Sequence, residues 1–139
     1  MLFDSHVHTA MSFDSRMDIN DAIDGSRERN LGLILTEHYD YGMTYENYES
    51  VDLEEYFLSY GGLRSDSLLL GIELGLTAKS QRNNNEVCRK YDFDFILGSV
   101  HMTNEIDLFE DLFTSITPIT SFKKYLEINI EMVNMFPYI

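Results

Sequence analysis

The chain has 139 residues, 44% of them hydrophobic, which suffices for one core and not for two ordinary domains, so residues 1–139 are read as a single domain. A formal charge of −14, from 24 acidic against 10 basic residues, excludes a nucleic-acid backbone as partner. Met1-Leu2-Phe3-Asp4 opens neither a signal peptide nor a membrane span, which leaves no membrane partner and the cytoplasm as the default location.

Leu2 to Val7 reads as a buried strand running into Asp4-Ser5-His6-Val7-His8. After a polar loop through Ser12-Phe13-Asp14-Ser15, Asp18 is expected to cap a helix reaching about Asn30, with Ile19, Ala22 and Ile23 inward and Gly25 weakening it. A second buried strand, Leu31 to Thr36, runs into Glu37-His38. A tyrosine-rich loop from Tyr39 to Tyr48 then leads to a helix near Asp52 to Tyr60, striped by Leu53, Tyr56, Phe57 and Tyr60 and stopped by Gly61-Gly62. The third strand, Ser67 to Leu74, contains Glu73. A polar helix around Ala78 to Tyr91 follows, with Cys88, the single cysteine, expected to pack as a small hydrophobe. The fourth strand, Phe93 to Val100, runs into His101. An irregular acidic loop through Asp111, broken by Pro118, precedes a last helix near Ser121 to Phe136 that carries Phe122, Tyr125, Leu126, Ile130 and Val133 at helical spacing.

Alternating strands and helices predict an α/β fold with parallel strands. Four strand-helix units make about half of a closed barrel, so either the chain is a truncated barrel or something else completes it, by self-association or a complementing fragment. In such barrels the strand ends converge on one mouth. All four histidines of the chain, together with Glu73, sit at or next to strand ends. His6 and His8 are two apart, so both imidazoles face the same way and can reach one ion. The competing reading of that pair is two exposed histidines beside a turn. No Gly-x-Ser-x-Gly elbow or glycine-rich phosphate loop occurs, which leaves metal-activated water as the economical chemistry.

His6-Val7-His8-Thr9-Ala10-Met11-Ser12-Phe13-Asp14-Ser15 resembles the first motif of the PHP (polymerase and histidinol phosphatase) superfamily, in the wording of its histidinol-phosphatase branch. Thr36-Glu37-His38, Gly71-Ile72-Glu73-Leu74-Gly75 and Asp92 to His101 resemble the second, third and fourth motifs, in order along almost the whole chain. The resemblance implies the N-terminal half of a distorted, TIM-like (β/α)7 barrel with up to three divalent ions, zinc, manganese or iron. It places His6, His8 and Glu73 on a first ion, Glu73 and His101 on a second, and Asp14 and His38 on a third. Asp4 and Glu37 are assigned to orienting ligand histidines from behind, the alternative for Glu37 being a solvated loop residue. Arg16 is a candidate for substrate phosphate against the plainer reading of a surface arginine. Tyr39, Tyr41, Tyr45 and Tyr48 are expected to pack on their own scaffold more readily than to line a substrate mouth.

The family pattern continues with a further histidine, an aspartate and another histidine that have no counterpart here, so each ion lacks one protein ligand. The implied activity is hydrolysis of L-histidinol phosphate, a small phosphomonoester of histidine biosynthesis. The alternatives are a catalytically inactive remnant acting as a binding or assembly module, and a phosphatase of another PHP branch.

Overall fold

The computed structural model describes residues 1–43, 48–103, 106–107, 117–137 and 139. Tyr45 and most of the acidic stretch that ends at Asp111 lie outside them.

Five parallel strands form the sheet: β1 (Leu2–Val7), β2 (Leu31–Leu35), β3 (His38–Tyr39), β4 (Leu68–Gly75) and β5 (Phe95–Ser99). β4 lies at the centre, with β5 along one side and β2 and β3 along the other; β1 pairs with β2 outside. β2 and β3 are successive stretches of one chain path against β4, in register Leu33 to Leu68 and His38 to Glu73. β3 falls in what the sequence suggests is loop, since two residues are too few to show a period. Met102–Thr103 (β6) and Ile106–Asp107 (β7) form a small antiparallel ladder where an irregular loop is expected.

The helices start where short-range chemistry says they should. Asp18 accepts the N–H of Asn20 at the head of α1 (Ile19–Glu28), and Asp52 accepts those of Glu54 and Glu55 at the head of α2 (Leu53–Tyr60). Gly61-Gly62 does not turn the chain left-handed after α2. Gly61 has φ −56° and the helix tightens into a single 3-10 turn, Gly61–Leu63. α3 spans Gln81–Lys90 and half-buries Cys88 against the core. Pro118 does not break a loop but opens α4 (Pro118–Met135) at a position where its missing N–H costs nothing.

β4 is buried along its length and sorts its side chains by parity. Leu68, Leu70, Ile72 and Leu74 belong to the core with Leu35, with Leu53, Tyr56 and Tyr60 of α2, with Val87 of α3, with Met132 of α4 and with Phe136 just past it. Gly71, Glu73 and Gly75 face the other way. A Cβ at Gly71 would stand 2.9 Å from the backbone oxygens of both Leu35 and Phe95, so the strands can pass this closely only over a glycine.

Two of the four expected buried strands are not buried. β1 is mostly exposed, with Leu2 at 78%, and β5 is half-buried throughout, because among the described residues each is paired on one side only. The apolar stripe of α4 is likewise turned outward. Phe122, Leu126, Ile130 and Val133 are exposed, whereas Ser121, Met132 and the half-buried Tyr125, Ile128 and Met135 meet the core. Periodicity identifies a stripe but not the element that covers it.

The lower end of the sheet is pinned by charge. Asp94 accepts the N–H of Leu70 at 2.8 Å and two bonds from Arg64, at 2.7 and 2.6 Å. Asp94→Ala is expected to lower stability by about 1–3 kcal/mol, since it strands the Leu70 N–H and leaves Arg64 only its bonds to Asp92. A urea midpoint unchanged from the parent chain would show that water replaces both partners.

Candidate metal centre

Glu73 is buried, with its side chain 2% exposed, and imidazoles surround it. Oε2 lies 3.1 Å from Nε2 of His6, 3.4 Å from Nε2 of His8 and 3.3 Å from Nδ1 of His38. Oε1 lies 3.1 Å from Nε2 of His101. The carboxylate thus turns one oxygen to the β1 histidines and the other to His101, which is the posture of a group shared between two cations. Each element contributes for a local reason. His6 ends β1 and His8 follows it, His38 starts β3 directly opposite Glu73, and His101 lies just past β5.

The four rings form a continuous cluster, with centroids 4.9 Å apart from His6 to His8, 4.4 Å from His8 to His38 and 5.1 Å from His38 to His101. Asp14 reaches His38 Nε2 at 3.2 Å from the loop after β1. All six residues that the sequence selects as ligands therefore meet in one place. Three overlapping donor sets have atoms within 4.8 Å of one another: His6, His8 and Glu73; His8, Asp14 and His38; His38, Asp40 and His101. The donor chemistry, neutral nitrogen with carboxylate oxygen, suits a divalent transition metal. His38 Nδ1 is buried and has no hydrogen-bond partner although two carboxylates flank it, at 3.3 Å from Glu73 and 3.6 Å from Asp40. A cation in the cluster gives that nitrogen a partner, so the residues fit the group.

Behind the ligands lies a layer of polar side chains. Glu37 is fully buried and accepts the N–H and hydroxyl of Thr9 and, at 2.6 Å, the hydroxyl of Ser12. Ser12 Oγ in turn accepts the N–H of His38 at 3.0 Å and lies 3.3 Å from Nδ1 of His8. Glu37 is not a solvated loop residue, and it acts on the histidines through Ser12 rather than directly. Asp4 meets His6 through the backbone N–H, at 3.4 Å, and not through the ring. Arg16 is exposed on the Asp14 loop, outside the cluster. Beside β1 an open groove of about 510 Å³ is lined by His6, His8, Asp14, Ser15 and Met17, with Arg29 of the α1 terminus as its cation. Of the tyrosines, Tyr39 is half-buried against the core and Tyr41 is half exposed. Tyr48 packs edge-on against Phe13, which itself lies on His38.

Asp40 is absent from the sequence reading. It is buried and stands 2.7 Å from Nδ1 of His101. Its signal was available, an acid two residues past a candidate ligand in extended chain, but the flanking tyrosines made the segment read as loop.

The charges answer one another. Burial works to raise Glu73, yet His101, His38 and His6 hold it down to about 2. Burial works to lower His101, but Asp40 and Glu73 prevail and lift it to about 10. His38 is raised by Asp40, Glu73 and Asp14 against its own burial, whereas burial and the His38 ring keep His8 low. Against an ordinary 6.5, a folded His101 near 10 contributes stability that is complete below about pH 6.5 and is lost as pH rises toward 10. Against an ordinary 4.5, Glu73 contributes stability that is present above about pH 4.5 and is lost as pH falls toward 2. The chelator-treated chain is accordingly expected to melt higher at pH 6 than at pH 9. The His8 shift has the opposite sign to that of His101, and a melting midpoint that rises from pH 6 to pH 9 would mean that it dominates.

The PHP domain model matches residues 4–135. The chain belongs to the PHP domain family. Among curated proteins this PHP domain is similar to "Probable histidinol-phosphatase" of Clostridium acetobutylicum, 42% identical over 110 residues, and to "Histidinol-phosphatase" of Lactococcus lactis subsp. lactis, 28% identical over 119 residues. These alignments take in 79% and 77% of the chain but only 43% and 42% of the relatives, so the chain spans less than half the length of the curated proteins it matches. Among solved structures it superposes with a TM-score of 0.87 and 23% identity on histidinol phosphate phosphatase of Lactococcus lactis subsp. lactis, crystallised with zinc, L-histidinol and phosphate. That match covers 96% of this PHP domain and 53% of the solved chain. The expected architecture is borne out: a partial TIM-like barrel, α/β, with a parallel sheet. No helix among the described residues is long and apolar enough to cross a membrane.

Proposed function

We propose that this PHP domain forms the divalent-metal part of a histidinol-phosphatase centre, acting on the phosphate monoester of L-histidinol. The observation that carries the reading is the Glu73 carboxylate divided between His6 and His8 on one oxygen and His101 on the other. Zinc, manganese or iron ions, up to three, would be held by His6, His8, Asp14, His38, Glu73 and His101. Bound there, such ions supply a nucleophilic water at neutral pH and neutralise phosphoryl oxygens. The chain's own part is to present imidazole nitrogens on converging strands, to keep Glu73 deprotonated at the shared position, and to hold the loop from Thr9 to Asp14 over the cluster through Glu37. The groove beside β1 has room for a small phosphomonoester, with Arg29 of its lining and the exposed Arg16 of the Asp14 loop as candidates for the phosphate. The proposal includes residues 1–139 acting as one domain and a cytoplasmic setting.

The outward apolar face of α4 favours a second reading, a binding or assembly module without turnover, joined to a complementing fragment or to another copy. Phosphate release from L-histidinol phosphate with manganese or zinc, compared with the double substitution His6→Ala and Glu73→Ala, separates the two. Turnover lost in the double variant supports the phosphatase. A rate equal to the variant's, with metal bound, leaves the module.

A further inference from the structure

Asp40 lies on the far side of His101 from Glu73. Nδ1 of the ring meets Asp40 Oδ1 at 2.7 Å while Nε2 points at Glu73 Oε1, 3.1 Å away. The other Asp40 oxygen accepts the Tyr48 hydroxyl at 3.0 Å, and that hydroxyl oxygen accepts the Asp40 backbone N–H at 2.7 Å and lies 3.1 Å from Ser50 Oγ. The carboxylate is therefore occupied on both oxygens and locked at its own backbone. It also rests on Gly75, where a Cβ would fall 1.8 Å from Oδ1. Any side chain at 75 would push Asp40 off the ring.

We propose that Asp40, braced by Tyr48 and by the bare backbone of Gly75, is a positioning residue that fixes the proton of His101 on Nδ1 and so turns Nε2 toward the metal. The inference rests on the metal centre proposed above and adds residues outside its ligand set. Asp40 is not itself a ligand to an ion on Nε2, because the two ring nitrogens face opposite sides of the imidazole. A carboxylate behind a metal-bound histidine selects the tautomer, restrains ring rotation and raises the basicity of the ligating nitrogen; its loss typically weakens metal binding about 10–100-fold. Tyr48 has a corresponding reason to be where it is. Its hydroxyl holds one carboxylate oxygen so that the other stays aimed at Nδ1, and burial beside the Asp40 charge pushes the phenol upward, keeping it a donor.

The test is zinc affinity, by competition with a chelating dye, in the full chain and in Asp40→Asn, Gly75→Ala and Tyr48→Phe, with long-range nitrogen–proton NMR of the His101 ring. Asp40→Asn and Gly75→Ala are expected to weaken zinc binding by about 10–100-fold, and Tyr48→Phe to weaken it less. In the zinc-loaded parent the ring proton should sit on Nδ1. Gly75→Ala leaves every polar group in place, so a loss there reports the position of Asp40 rather than its charge. Should Asp40→Asn fail to fold, the ring proton of the parent and the Gly75→Ala affinity still decide the matter. Zinc bound equally well by the parent and both variants would overturn the positioning role while leaving the metal centre intact, and a ring proton found on Nε2 would overturn the positioning role and remove His101 from the ligand set. A parent chain that takes up no zinc overturns both.

Discussion

Glu73→Gln is expected to cost at least about 100-fold in zinc affinity, beyond what loss of a carboxylate behind the ligands costs, and to remove whatever phosphatase activity the chain has. Glutamine keeps the shape and one oxygen but not the charge, and it cannot be shared by two cations. The same substitution should unsettle the metal-free protein. Glu73 faces His6, His8, His38 and His101, and the lifted His101 owes its proton partly to it. Removing one side of a buried ion pair costs about 3–5 kcal/mol when the other side stays charged. Here part of that is recovered as His101 gives up its proton, so the loss should be larger at pH 6 than at pH 9. Isothermal titration with zinc and chemical denaturation at both pH values check the two halves. Unchanged zinc affinity would remove Glu73 from the centre.

Glu37→Ala should be the most damaging change outside the ligand set, by about 3–5 kcal/mol in urea denaturation. The carboxyl group takes the Thr9 backbone N–H, the Thr9 hydroxyl and the Ser12 hydroxyl, all buried; alanine would leave the N–H without a partner and the hydroxyls only Tyr60 and His8 as acceptors. Ser12 would then be free to leave the His38 N–H and His8 Nδ1, so zinc affinity should fall with stability. A loss under about 1 kcal/mol, within the range of ordinary surface changes, would mean that water fills the vacated space and satisfies the donors. Glu37→Gln separates packing from acceptance, since its amide nitrogen can accept nothing.

Some of this was legible in the sequence and some was not, for physical reasons. The helix starts at Asp18 and Asp52 were readable because a cap depends on the next two or three residues alone. His6, His8 and Glu73 were readable because a strand's period of two and its end are local properties. Burial of β1 and β5 was not, because it depends on what pairs with their free sides. The facing of α4 failed for the same reason: Leu126, Ile130 and Val133 repeat correctly yet are exposed, while Tyr125 of the same stripe and Met132 meet the core. Asp40 and Ser12 escaped notice because small polar residues gain meaning only from partners far along the chain. Asp40 finds its partner 61 positions on, and Ser12 finds Glu37 25 positions on.

The convergence of ligands on Glu73 has a topological consequence. His6 is 67 residues from Glu73, and Glu73 is 28 residues from His101. Ions held by His6 with Glu73 and by Glu73 with His101 would fasten β1, β4 and the end of β5 together and close two long loops of the unfolded chain. Closing loops of that length removes denatured-state entropy in the way a disulfide does, on the order of 3–4 kcal/mol per loop in the chain-entropy model. In a chain with a single cysteine, whose β1 and β5 are each paired on one side among the described residues, the bound metal would then serve as the fold's cross-link.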